Sequence, residues 1–582
     1  MLSNTLKLCL GTKILSSLHL RKVSSVVTSE KFEDVTTYNE TPLDYTEDSK
    51  EWNDLKKMLE TVSCACTEIP IVINGEEHKT KNVRYQVMPH NHKLKVAKYY
   101  LADGPLIEKA IHVATKAYFD WNSKSFSDRI AIWECAAHMM GTTFRADLVA
   151  NIMLGQSKTI VQAELDTAEL IDFTRMNTHF IKKIMSYEPL TDKPECVKNH
   201  VKFHGLEGFV ATMSPFNFTS IAGNQAFTPA LMGSCVVWKP SELAMLSNYR
   251  VFDIMRQAGV PDGVVNFVPA NAEIFAKIAT YNENLAAINF TGKQHHFNKF
   301  YKQVASHIRW YKNYPRMIGE CSGKNFHFVH VSADVETVVA ATIRSAFEYS
   351  GQKNAACSCL FAPASLWEST LKCALIEKTQ KLKVGDVLDR KAFLSAVIND
   401  NSFLRSAKYI YDAKMNKKCE VIAGGDFSNV NGYFVEPTIV VVKDLTEPIF
   451  VDQIFGPVLA VYVYEDDKLQ EIICHINRSP YGLTGSVFAK DEEFLKQAVN
   501  SFKLVAGNLN LNDKSTGSLC GQQPFGGARR SGTNDKPGGP HYILRWTNQQ
   551  IIKETFVPMT EIYYPSMLDG EKTEKPEETC TD

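Results

Sequence analysis

Residues 208–217 read GFVATMSPFN: an uncharged, β-branched run, Gly208–Met213, followed at once by a polar turn. A run of that length and composition fits a strand buried on both faces. Three more follow it, SCVVW at Ser234–Trp238, VVNFV at Val264–Val268 and AAINF at Ala286–Phe290. Spacings of roughly 20 residues or somewhat more suit a crossover helix with two loops, so the repeat predicts a parallel, doubly wound sheet. Such sheets bind ligands at the carboxyl ends of their strands. Polar motifs fall at those ends: SPFN after the first run, KPSE (Lys239–Glu242) after the second and FTGK (Phe290–Lys293) after the fourth. Lys239 and Glu242 suit phosphate pairing and ribose hydroxyls, and Gly292 lets the backbone approach a phosphate where a helix at His295–His307 begins. No GxGxxG fingerprint occurs, and a lone KPSE is also an ordinary turn.

Working outward, residues from about Ile107 to Lys183 carry apolar positions at helical spacing, and a strand pair is expected near Val197–His204. A second alternating block begins at 316. Its expected strands are Asn325–Val331, Val384 onward, Tyr433–Val442 and Val458–Tyr464. Its expected helices are Val335–Tyr349, Leu366–Lys381, Ser402–Lys414 and Phe494–Ser501. Gly507–Lys536, rich in Gly, Asn, Ser and Gln, reads as a functional loop, and Tyr542–Ile552 as a returning strand. The tail from Asp569 is polar and mostly acidic.

At 582 residues the chain is long enough for two or more domains, and its 44% hydrophobic and 22% charged content is that of a soluble globular protein. A net charge of −1 without a basic stripe argues against nucleic-acid or membrane-surface binding, and no apolar run is long enough to span a bilayer. The 14 cysteines form no disulfide framework. Cys64/Cys66, Cys357/Cys359, His90/His92 and His295/His296 lack metal-site spacing, so no metal is expected. Residues 1–29 carry Lys7, Lys13, Arg21 and Lys22 and no acid, with leucines and serines between, as mitochondrial transit peptides do. That places the protein in the matrix.

The chemistry centres on FEYSGQKNAACSCL, Phe347–Leu360, where a Gly-Gln-Lys turn presents Asn354. Upstream lie Glu320 in IGECSGKNF and Asn217 in SPFNF. A carboxylate base, an amide donor and a turn-presented residue are the parts of an acyl-transfer site. The turn, however, presents an amide where a nucleophile belongs.

Taken together, SPFNF, WKPSE, NFTGK, GECSGKNFHFVH, FEYSGQK and IFGPV resemble the aldehyde dehydrogenase superfamily over about residues 45–560. Within it, NDKSTGS, GQQPFGGARRSGTNDKPGGPHYILRW and IIKET look like the Δ1-pyrroline-5-carboxylate dehydrogenases, which oxidise glutamate semialdehyde to glutamate with NAD. The resemblance implies an α/β fold: a Rossmann-type NAD-binding domain at 45–315, with oligomerisation strands at 189–206 and 540–562. A catalytic domain at 316–513, a substrate loop and return strand at 514–562, and a disordered tail at 563–582 complete it. It implies that Asn217 donates to an oxyanion and Glu320 is the deacylation base. Lys239 and Glu242 would meet the adenosine ribose. Ser214, Gly292, Lys293, Gln294, His295 and His296 would lie along the dinucleotide, with Gln453 and Phe455 at the nicotinamide end. Gly517, Ser518 and Phe525 would hold the substrate's amino-acid end.

Four positions depart from the family pattern: Asn354 for the nucleophilic cysteine, Gln453 for the glutamate of EIFGP, Lys293 for the serine after FTG, and Ala355 for a serine. Loss of a nucleophile costs on the order of 10⁶ in turnover in a triad enzyme. Two functions are therefore expected from the sequence. One is the NAD-dependent dehydrogenase of mitochondrial proline catabolism. The other is an inactive paralogue that binds ligands, as a homodimer or in a hetero-oligomer with an active relative.

Overall fold

The computed structural model describes residues 37–567, so the 1–29 leader and residues 568–582 of the tail lie outside the described residues. The expected buried runs form one seven-stranded sheet. Its order is Arg316–Glu320, Leu285–Thr291, Phe209–Met213, Cys235–Lys239, Val265–Phe267, Ile71–Ile73 and Glu76–His78. The first five are parallel and the last two antiparallel. Strands 209–213, 235–239 and 285–291 are buried at every residue, so no polar alternation interrupts them. The chain order reverses between Phe209–Met213 and Leu285–Thr291, and a crevice at such a reversal is where an open parallel sheet binds its ligand.

A second seven-stranded sheet has the order Cys419–Ala423, Thr438–Val442, Val458–Tyr464, Cys357–Pro363, Asn325–Val329, Thr484–Phe488 and Asn508–Leu511. All its pairings are parallel except the first. Phe328, Phe361 and Phe450 belong to one apolar cluster of this sheet, and Val338, Phe347 and Trp367 to another.

The helical stretch upstream resolves into Gly104–Ser123, Phe126–Gly141, Arg145–Gln156 and Ile160–Met185. Asp103 and Ser125 cap the first two, accepting from Leu106 N and Asp128 N. The fourth positions the site. Its Asp166, fully buried, accepts from the backbone N–H groups of Thr219 and Ser220 at 3.0 and 2.9 Å. A carboxylate there satisfies donors left unpaired at the start of the helix Thr219–Leu231. Lys158 neutralises it at 2.8 Å.

Several expectations need correction. Strand Arg316–Glu320 pairs with Leu285–Thr291 and closes the edge of the first sheet, so the change of sheet comes after Glu320 rather than at 316. Val384 makes only an isolated bridge to Leu394, because the surrounding segment is a series of turns. Cys357–Pro363, expected only as a small-residue run, is a central strand. The Gly507–Lys536 loop opens with a strand, Asn508–Leu511, and the returning strand is Thr547–Thr555, preceded by a short helix Pro540–Leu544.

Both sheets belong to one compact unit. A smaller unit comprises residues 185–203 and 549–567 and is built on the pairing of strands Val197–Gly205 and Thr547–Thr555. Within it Phe556 N donates to Cys196 O at 2.7 Å. No helix among the described residues is long and apolar enough to cross a membrane.

Candidate active site

Asn354 sits between the helix Val335–Phe347 and the strand Cys357–Pro363. The turn before it is left-handed at three successive residues, Tyr349 and Ser350 at φ 52° and Gly351 at φ 67°. Gly351 is required there: a Cβ would lie 2.2 Å from Gly456 O. The turn is fixed by buried polar side chains distant in sequence. Asn325 Nδ2 donates to the carbonyls of Asn354 (2.7 Å) and Ala356 (2.9 Å). Ser515 Oγ donates to Ala355 O at 2.9 Å and bonds Ser345 Oγ at 2.8 Å, while Ser345 Oγ accepts from Cys357 N at 3.1 Å. His327 lies beside Ser515, and burial pushes its imidazole down to about 3, leaving it neutral.

Opposite the turn, Asn217 is 1% exposed. Its Nδ2 donates to Gln352 O at 3.1 Å and to Asn354 Oδ1 at 2.9 Å. Both amide hydrogens are thereby used, and its Oδ1 is buried without a partner. The carbonyl of Gln352 fixes the orientation, since only the nitrogen end of Asn217 can face it.

Cys357 is no alternative nucleophile. It is 2% exposed, its Sγ donates to Cys359 O at 3.4 Å, and burial holds its thiol well above the usual range.

Glu320 ends its strand beside the 526–536 segment, bridging to Gly532. Burial, reinforced by Asp535 and opposed by Lys536, raises its carboxyl well above the usual range. Its Oε2 is buried and unpartnered, and its Oε1 lies 2.9 Å from where a Cβ on Gly526 would be. Among the described residues no hydrogen bond joins it to Asn217 or Asn354. The loop with Gly517, Ser518 and Phe525 is anchored by Ser515, which ties it directly to the Asn354 turn; Gly517 has φ 88°, and Phe525 N donates to Pro537 O.

Residues expected to meet a dinucleotide lie at the first sheet's carboxyl edge. Ser214 Oγ accepts from Trp238 Nε1 at 3.0 Å, and Glu242 accepts from Tyr99 OH at 3.3 Å. Lys239 is only 9% exposed, its side chain makes no hydrogen bond or ion pair among the described residues, and burial, opposed by Glu242, lowers its pKa. The helix Gln294–Ser306 has no side-chain cap on its first turn, leaving backbone donors open. Gln294 N reaches only Ser322 Oγ, at 3.5 Å. Lys293, His295 and His296 flank that turn and are exposed. An orphaned buried cation and an uncapped helix start suit the hydroxyls and phosphates of a dinucleotide, so the residues present fit NAD. Phe455, at φ 55°, packs edge-on against Phe216 with ring centroids 5.9 Å apart, which brings the Gln453–Phe455 segment beside Asn217.

Residues 77–552 match the aldehyde dehydrogenase family model. The chain belongs to the aldehyde dehydrogenase family. It is 48% identical to the mitochondrial delta-1-pyrroline-5-carboxylate dehydrogenase of Danio rerio over 91% of this chain and 95% of that protein. The protein of the same name from Homo sapiens is 49% identical over 91% and 94%. Among solved structures, the Mycobacterium tuberculosis Delta-pyrroline-5-carboxylate dehydrogenase bound with NAD superposes with a TM-score of 0.88 at 36% identity, covering 94% of this chain and all of that one. Family membership accounts for the two sheets and the crevice.

Sequence reading missed the frame around the turn, Asn325, Ser345, His327 and Ser515, and the buried carboxyl of Glu169. Burial raises Glu169 to about 7, and it accepts from Ser220 Oγ at 2.7 Å. The only sequence signal was polar residues inside otherwise apolar runs.

Proposed function

We propose that this chain is a pyrroline-5-carboxylate dehydrogenase by descent that binds dinucleotide and a glutamate-semialdehyde-class ligand without oxidising it. The observation that carries this reading is the hydrogen bond between Asn217 and Asn354. An aldehyde gives up hydride readily only after a nucleophile has added to its carbonyl carbon. The nitrogen lone pair of the Asn354 amide is delocalised into its carbonyl and does not add. Asn354 also occupies the one N–H of Asn217 not already donated to Gln352 O, which would otherwise be available to a developing oxyanion. Burial, reinforced by Asp535, raises the carboxyl of Glu320 well above the usual carboxylate range and so favours its protonated form.

The binding parts remain. Lys239, Ser214 and the open first turn of Gln294–Ser306 hold the dinucleotide, with Phe455 at its far end; Gly517, Ser518 and Phe525 hold the ligand's α-carboxylate and α-amino group. Bound NAD supplies a hydride acceptor. The mitochondrial relatives and the basic, acid-free residues 1–29 support a matrix location. Exposed Ile551, Val557, Met559 and Ile562 in the smaller unit support assembly with a second copy or with an active paralogue.

The test is NADH production from pyrroline-5-carboxylate by the purified mature chain, with Asn354→Cys assayed beside it. Turnover only in the variant is the expected result. Turnover by the natural chain at a dehydrogenase rate refutes the reading and makes the protein an active pyrroline-5-carboxylate dehydrogenase.

A further inference from the structure

Residues 37–45 form neither helix nor strand, yet they are tied down along their length by side chains of the larger unit. Glu40 pairs with Arg145 at 2.9 Å and with Arg175 at 2.8 Å, and its N–H donates to Asp172 Oδ1 at 2.7 Å. Leu43 N and Tyr45 OH donate to the two oxygens of Glu164 at 2.8 and 2.7 Å. These bonds strap the segment to the helices Arg145–Gln156 and Ile160–Met185. At the head of the strap Asn39 uses its whole amide. Its Nδ2 donates to Asp172 Oδ2 at 2.8 Å and to Cys520 O at 2.9 Å, and its Oδ1 accepts from Gln522 Nε2 at 2.7 Å. Cys520 and Gln522 lie between Ser518 and Phe525. Among the described residues, three hydrogen bonds tie the stretch 516–523 to chain outside it. Asn39 makes two of them, and Gly521 N donating to Gly538 O at 2.8 Å is the third.

We propose that Asn39 is a positioning residue for the amino-acid end of the ligand: the strap holds the loop 516–523 in the shape in which Gly517 and Ser518 receive the α-carboxylate. This rests on the reading above that Gly517, Ser518 and Phe525 hold the ligand. Backbone donors recognise a carboxylate only when the turn that carries them is already formed, since an unformed loop spends part of the binding free energy on ordering itself. The lower end of the loop is fixed by Ser515 and its upper end by Phe525 N on Pro537 O. Between those two points the strap supplies most of the polar restraint. Without it the receptive shape is one of several, and the apparent affinity falls with the fraction of molecules that hold it. The dinucleotide lies along the first sheet's carboxyl edge and does not draw on Asn39. Coupling of this kind is reciprocal, so a ligand that selects the formed loop also steadies the strap.

The experiment is isothermal titration of the full mature chain, and of its Asn39→Ala and Gln522→Ala variants, with L-glutamate and separately with NAD⁺. L-glutamate carries the α-carboxylate and α-amino group without an aldehyde. Asn39→Ala, which removes both bonds to the loop, is expected to weaken L-glutamate about three- to tenfold and to leave NAD⁺ unchanged. Gln522→Ala removes one bond from an exposed side chain, and a smaller loss of the same kind is expected; it keeps the question open to test if Asn39→Ala does not fold. Saturating L-glutamate is expected to slow amide hydrogen exchange over residues 37–45 of the natural chain, which a merely structural strap would not show. Unchanged L-glutamate affinity in the variants, equal weakening of L-glutamate and NAD⁺, or strap exchange indifferent to L-glutamate each overturns the proposal and leaves the ligand loop standing. No binding of L-glutamate by the natural chain overturns both.

Discussion

Asn217→Ala has opposite meanings in the natural chain and in an Asn354→Cys background. In the natural chain the Asn217 amide is structural: it is buried and supplies the partner of both Gln352 O and Asn354 Oδ1. Truncation leaves the Gln352 carbonyl unpaired in a dry site, a loss of about 1–3 kcal/mol. On the proposed reading there is no turnover to lose. In the Asn354→Cys background the acceptor on residue 354 is gone, and one N–H of Asn217 becomes available to the carbonyl oxygen of a substrate. Removing a donor of that kind costs about 10²–10³ in kcat. The restored thiol itself recovers up to about 10⁶ over the natural chain. The assay is a two-by-two set of purified variants, measured for NADH production from pyrroline-5-carboxylate and for urea unfolding. If Asn217→Ala changes the turnover of the Asn354→Cys protein by less than about threefold, Asn217 is not the oxyanion donor, and the account of the site fails at that residue.

Three further outcomes follow from the same geometry. Glu169, raised to about 7 by burial, is neutral in the folded state where it ionises in the unfolded chain. Stability is then greatest below the unfolded carboxylate range and falls as pH rises toward about 7, by roughly 1–3 kcal/mol; Glu169→Gln should flatten that decline in denaturant midpoints taken from pH 4.5 to 7.5. Native-state alkylation read by peptide mass spectrometry should modify the exposed Cys64, Cys66 and Cys135 and spare Cys357 and Cys359, which are buried with raised thiol pKa values; rapid labelling of Cys357 would reopen it as a nucleophile. Asn325→Ala, which removes the donor to Asn354 O and Ala356 O, should lower stability by about 2–4 kcal/mol, visible as a fall in Tm without change of fold by circular dichroism.

The sheet nearest the dinucleotide was legible because its strands are buried on both faces. GFVATM, SCVVW and AAINF carry no charge, and a buried parallel strand needs none. The second sheet was half hidden for the converse reason. Cys357–Pro363 begins with cysteine and serine, and Asn508–Leu511 reads NLNL, so neither shows the continuous apolar run that marks a central strand, although both lie in the sheet. The site was legible as a set of motifs, since SPFN, KPSE, FTGK and the Asn354 turn each follow a strand or helix end. Its internal frame was not. Ser515 meets Ala355 across 160 residues of chain, and Asn325 meets Asn354 across 29, and no local spacing encodes such pairs.

That frame also explains how the fold accommodates an asparagine at 354, where the proposed reading places a lost nucleophile. The turn is held through main-chain atoms, the carbonyls of Asn354, Ala355 and Ala356 and the N–H of Cys357, by Asn325, Ser345 and Ser515. None of these bonds uses the side chain at 354, so the backbone does not depend on what stands there. The constraint on that side chain comes from Asn217, whose second N–H is buried and costs free energy when left unmade. An apolar residue at 354 would leave it unpaired. An amide carbonyl pairs with it at 2.9 Å. On the proposed reading, the residue that stands in the nucleophile's place therefore satisfies the donor that would serve it. A single return to cysteine should consequently be enough to expose whatever catalytic competence the rest of the site retains.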